Sequence, residues 1–154
     1  MPTLEGLRRP LLLTLLDAYG SLSVDKLLPL LAPNFEHVTL PHSLGMPVRD
    51  KDAFAKHAAG IANLFEEFKF ISNLIADDPT DGVTVIEALM VGVLKQGKGE
   101  WRNECYLVIQ LTKDFRYVRS IREFVDSAKA IEMAQTHAPK NFGWNTSNSS
   151  RQQK

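Results

Sequence analysis

Apolar residues recur at helical spacing from the start of the chain. Leu7, Leu11, Leu12, Leu15, Leu16 and Tyr19 share one face of a helix over residues 4–19, and Gly20 suits its left-handed end. Ser23 caps a second, short helix built on Val24, Leu27, Leu28 and Leu31, with Pro33 as its stop. Residues 34–40, NFEHVTL, read as a short strand. The segment PHSLGMPV, 41–48, carries two prolines and a glycine and is a loop. Asp50 or Asp52 opens a third helix through residue 65, with Phe54, His57, Ala58, Ile61, Leu64 and Phe65 in one stripe.

Beyond residue 68 the helical period gives way to strands. Four are predicted, at 68–76, 83–94, 101–112 and 116–125, with breaks short enough for hairpins. A last helix covers 127–136. This order predicts an α+β domain over residues 1–138, a cone-shaped, curved antiparallel sheet wrapped over N-terminal helices with a pocket inside. Residues 139–154, rich in Asn, Ser and Gln, read as a polar tail.

Composition narrows the function classes. Lys plus Arg is 18 and Asp plus Glu is 18, a net charge of zero. That argues against a general nucleic-acid partner, which needs a basic face. The one cysteine, Cys105, rules out an internal disulfide. The N-terminal apolar run is broken by Thr14 and ended by Asp17, too short to span a membrane. A soluble, cytoplasmic protein without a membrane partner is expected. No metal-binding spacing links His37, His42, His57 and His137, and GxGxxG, GxxxxGK[ST] and GxSxG are absent, so neither a metal nor another cofactor is expected.

The paired N-terminal helices, the segment FEHVTLP, the helix after VRDKDAF and the terminal IREFVD together resemble the nuclear transport factor 2-like superfamily, in its SnoaL-like branch of polyketide cyclases and isomerases. The resemblance covers about residues 5–135 and implies a cystatin-like α+β barrel. It also implies a cofactor-independent isomerase or cyclase acting on a hydrophobic polyketide or meroterpenoid intermediate. Dehydratases, lactone or epoxide hydrolases and noncatalytic dimeric binding modules share the fold and remain alternatives. Epoxide hydrolases of this fold carry an Arg and an Asp two residues apart on the second meander strand. Those positions fall near Leu89 and Val91 here, so that triad is missing.

Strand alternation sorts the candidate residues. Ile121, Glu123 and Val125 share a face that the resemblance turns inward. A carboxylate in an apolar cone suits general acid or base work; His37 and Thr39 match positions where the resemblance implies polar pocket residues, and histidine is a natural proton shuttle. His37 and Glu123 are therefore the expected catalytic pair. Thr39, His57 and Asn103 are expected to orient substrate, with Phe35, Phe54, Trp101 and Ile121 as apolar walls. Glu87, interrupting an apolar run, and His42, in the proline loop, rank second. Asn103 and Cys105 share parity with Trp101. If a bulge flips that strand, Glu104 and Tyr106 face the pocket instead. Apolar residues on both faces of residues 83–94 predict a homodimer through the outer sheet face.

Overall fold

The computed structural model describes residues 4–137. The predicted polar tail lies outside the described residues. Helix α1 (Leu4–Gly20) is followed by α2 (Val24–Leu27), whose cap is Ser23, accepting from the Lys26 amide. A 3-10 turn, Leu28–Leu30, leads directly into strand β1 (Leu31–Leu40). Pro33 thus lies within a strand instead of ending a helix. Because β1 is an edge strand, a proline there removes no ladder bond that the sheet needs.

A 3-10 turn, His42–Leu44, occupies the proline loop, and Asp50 caps α3 (Lys51–Ala62) through the Ala53 amide. Phe65 belongs to the next strand and not to α3. Strands β2 (Phe65–Asp78), β3 (Val83–Leu94), β4 (Gly99–Leu111) and β5 (Val118–Val125) form the expected meander. Helix α4 (Ser127–Glu132) runs into a π turn, Met133–His137.

The architecture is α+β, with a single curved sheet in the order β1-β5-β4-β3-β2. It differs from a closed antiparallel barrel in two ways. The sheet is open, and β1 pairs with β5 in parallel. That parallel register sets His37 opposite Ile121 and Thr39 opposite Glu123.

Burial alternates strictly along β3 and β4. Ile86, Ala88 and Met90 face in, as do Trp101, Asn103, Cys105, Leu107, Ile109 and Leu111. Glu104 and Tyr106 are exposed, so no bulge flips this strand. The inner face packs against Leu15, Ala18 and Tyr19 of α1 and Phe54 and Ala58 of α3. Gly92 is needed for close approach: a Cβ there would collide with the Phe65 ring.

Candidate active site

Residues of the helices and the inner sheet face line a cavity of about 120 Å³. Its apolar wall includes Leu27, Phe54, Ile61, Phe68, Met90 and Trp101. Ala130, Met133 and Ala134 close one side. They belong to the C-terminal helical segment, which is tied down by two inward residues of β4. The Trp101 indole donates to the Lys129 carbonyl at 3.3 Å. The Asn103 amide brackets residue 126, accepting from the Asp126 N–H at 3.0 Å and donating to its carbonyl at 3.5 Å. Asn103 thus lines the cavity while its amide holds the turn between β5 and α4.

Polar groups converge on the wall where β1 meets β5. Glu123 Oε2 accepts from the Tyr19 hydroxyl at 3.1 Å and lies 3.0 Å from His37 Nε2. His37 is 1% exposed, so this contact is shielded from competing water. The other ring nitrogen, Nδ1, is 3.4 Å from Arg49 Nη1, which also donates to Thr39 Oγ1 at 3.4 Å. Tyr19, His37, Thr39 and Glu123 all line the cavity. Arg49 stands behind His37 and Thr39, buried, with Nη2 lacking a hydrogen-bond partner.

Local structure explains the convergence. Residue 49 adds a one-residue antiparallel bridge to the free edge of β1: the His37 amide donates to the Arg49 carbonyl at 2.8 Å, and the Arg49 amide returns the bond at 2.9 Å. Directly paired residues in antiparallel backbone project to the same face, so the guanidinium lies alongside the imidazole. Asp50 then caps α3, fixing where the bridge ends. Tyr19 comes from the last turn of α1, where its ring packs edge-on against Phe70, with centroids 5.4 Å apart.

Electrostatics follow burial. Desolvation raises the Tyr19 pKa well above its ordinary value, and the neighbouring Glu123 charge adds to this, so the phenol stays protonated. Burial pulls the Arg49 pKa down, opposed by the Glu123 carboxylate, but a guanidinium remains cationic. His57 lines the cavity from α3, its ring centroid 6.1 Å from that of His37. Burial, followed by repulsion from Arg49 and His37, lowers its pKa to about 3, so it is neutral near pH 7. Cys105 is a buried core thiol, its pKa raised first by burial and then by Glu123.

The structure therefore brings together His37, Thr39, His57, Asn103, Phe54, Trp101 and Glu123 around one cavity. It separates four other candidates from it. Phe35 and Ile121 are fully buried in the core and do not line the cavity, Phe35 packing instead on Phe54 at 5.2 Å. Alternation puts Glu87 on the outer sheet face, where it accepts from the Tyr106 hydroxyl at 3.0 Å. His42 is exposed on its 3-10 turn, away from the cavity. Alternation also turns Leu89 and Val91 outward, and the inward residues Ala88 and Met90 carry neither Arg nor Asp.

Two polar members of the cluster, Tyr19 and Arg49, escape the sequence reading. Tyr19 sits in an apolar helix stripe, yet its hydroxyl requires a partner once buried, and that is a usable signal. Arg49 gives no local signal, because its bridge to β1 is a tertiary contact. Arg102 and Arg119 are engaged away from Glu123: Arg102 with Glu100 at 2.9 Å, and Arg119 with the Asn34 carbonyl at 2.7 Å.

Comparisons with known proteins bear on the fold. No protein-family model matches the chain. Among characterised sequences it is similar to the monooxygenase AacuO of Aspergillus aculeatus, 27% identical over 95 residues, covering 62% of this chain and 58% of that protein. The matched stretch thus spans little more than half of that relative's length. Among solved structures it is similar to PrhC of Penicillium brasilianum, with a TM-score of 0.76, 15% identity, and 86% and 88% of the two chains covered. BvnE pinacolase of Penicillium brevicompactum gives 0.75 at 17% identity, covering 86% and 93%. A SnoaL-like polyketide cyclase-type protein of Jannaschia sp. CCS1 gives 0.64 at 13% identity, covering 82% and 90%. Among the described residues no helix is long and apolar enough to cross a membrane.

Proposed function

From the premise that this chain has the SnoaL-like fold of the nuclear transport factor 2-like superfamily, we propose that it is a cofactor-independent isomerase or cyclase. Its substrate would be a small hydrophobic polyketide or meroterpenoid intermediate of secondary metabolism. The observation that carries this reading is the buried Tyr19–Glu123–His37 cluster set into the wall of an otherwise largely apolar cavity. Apolar walls select an uncharged hydrophobic body, and the polar cluster gives it one reactive edge.

In the mechanism, a member of the His37–Glu123 pair removes a proton adjacent to a substrate carbonyl. The C–H electron pair moves into the carbonyl system, and the negative charge on oxygen is met by a hydrogen-bond donor of the cavity. Return of the proton at another carbon completes an isomerisation, whereas attack of the enolate carbon on an internal electrophile completes a cyclisation. His57, neutral, and Thr39 lie on the same cavity wall and would orient the substrate oxygen. The same reading includes a homodimer through the outer sheet face, where Ile71, Tyr106 and Phe124 are exposed. Sedimentation of the full chain tests that part.

The test of the chemistry is deuterium uptake from heavy water. A panel of hydrophobic ketones, lactones and enols is first screened by thermal shift, and each binder is then incubated with the protein. Exchange at the carbon beside the carbonyl is expected with the wild type and should vanish in a His37→Ala, Glu123→Gln double variant. Exchange that persists in that variant would sink the assignment. Solvent oxygen appearing in the product would replace isomerisation by hydrolysis.

A further inference from the structure

Arg49 touches the cluster without lining the cavity, and its chemistry is one-directional. A guanidinium has only N–H donors, so wherever it bonds, its partner must accept. At His37 the acceptor is Nδ1, 3.4 Å away. A neutral imidazole whose Nδ1 accepts carries its proton on Nε2, and Nε2 lies 3.0 Å from Glu123 Oε2. The ring must therefore donate to the carboxylate. Tyr19 donates to the same oxygen. Two donors converge on Oε2, an arrangement that favours the carboxylate form of Glu123 and leaves Oε1 outside both bonds. At Thr39 the same logic holds: its hydroxyl oxygen accepts from Arg49, so its proton is available to donate into the cavity that it lines.

We infer that Arg49 is a positioning residue that sets the hydrogen-bond directions of His37 and Thr39, holding His37 as the Nε2–H tautomer and Thr39 as a donor, and so leaving Glu123 to act as the base. This rests on the reading of the cavity as an acid–base site. In the step it implies, the substrate C–H bond breaks and an O–H bond forms at Glu123 Oε1. The electron pair passes to the carbonyl oxygen, where the Thr39 hydroxyl meets the charge, and the same carboxyl returns the proton to another carbon. His37 gains and loses no proton. It keeps Oε2 hydrogen-bonded while Oε1 works.

Nitrogen-15 NMR of the histidine rings tests this without any substrate, so its failure is distinguishable from failure of the proposed activity. The His37 resonances are assigned by their loss in His37→Asn. The wild type near pH 7 should show His37 with Nε2 protonated and Nδ1 bare. A proton on Nδ1, alone or in an imidazolium, overturns the inference. In Arg49→Met the single tautomer should give way to a mixture, and Arg49→Lys, which keeps a cationic donor, should restore it in part. An Arg49→Met protein that folds and keeps the Nε2–H form unmixed also overturns it. Because Arg49 does not line the cavity, turnover in that variant should lose kcat with KM little changed.

Discussion

Two tyrosine–glutamate pairs on opposite faces of the same sheet share almost one geometry. Inside, Tyr19 donates to Glu123 at 3.1 Å; outside, Tyr106 donates to Glu87 at 3.0 Å. Both phenols have raised pKa values, for different reasons. For Tyr19 the first cause is burial, and for Tyr106 it is the hydrogen bond to Glu87 itself. The inner carboxylate has a histidine on the same oxygen and an arginine behind that histidine, whereas the outer pair is exposed to solvent in the single chain. Bond length therefore does not make a site. Exclusion of water and a fixed second layer of donors do, because both strengthen and orient the interaction.

The sharpest way to break this comparison is to neutralise each carboxylate in turn. Glu123→Gln should lower turnover by roughly 100- to 10,000-fold, the usual range for a lost general acid or base. Glu87→Gln should leave turnover unchanged. Steady-state rates on any substrate found by the exchange screen decide the matter. Equal losses would mean that the outer pair acts through the fold and that the inner one has no special chemistry.

Acid sensitivity sharpens the contrast next. His57 has its pKa lowered to about 3 in the folded protein, against about 6.5 in an unfolded chain. Between those values the unfolded state binds more protons, so folding stability rises with pH. This contribution is fully present above pH 6.5 and is lost as pH falls toward 3, to a limit below about 5 kcal/mol. Urea titrations across that window should show a steep acid limb, made shallower in His57→Gln. An unchanged slope in the variant would mean that His57 is charged in the fold, and the cavity would then be wetter than its walls suggest.

Much of the frame behind this contrast is legible in the sequence, because it depends on period-two burial. The bounds of β3 are read correctly from residues 83–94, and alternation groups Trp101, Asn103 and Cys105 on one face of β4 and Ile121 and Glu123 on one face of β5, the faces that the structure turns inward. What escapes depends on long-range pairing. The parallel β1–β5 register places His37 and Thr39 beside Glu123, and a local pattern carries no such partner information. Arg49 is invisible for the same reason, since only the bridge to His37 turns it inward. Glu87 misleads in a different way. An embedded charge among apolar residues signals a partner or a function, but Glu87 lies on the outer face, where a half-exposed tyrosine is sufficient as its partner.

The smallest effect isolates burial from geometry most cleanly. Tyr19→Phe and Tyr106→Phe each remove one hydroxyl and leave the ring in place. Tyr19 is 7% exposed, packs against Phe54 and Phe70, and donates to a carboxylate that water barely reaches. Removing that donor should destabilise the fold by about 2 kcal/mol, the range for a buried hydrogen bond to a charged group. Tyr106 is 48% exposed in the single chain, where water replaces its hydroxyl at Glu87, so in monomeric protein its variant should unfold with the wild-type midpoint. Denaturant melts of the two variants, run side by side, read the difference directly. If both shift equally, the 3.1 Å and 3.0 Å bonds are energetically alike, and the inner cluster owes its character to His37 and Arg49 rather than to exclusion of water.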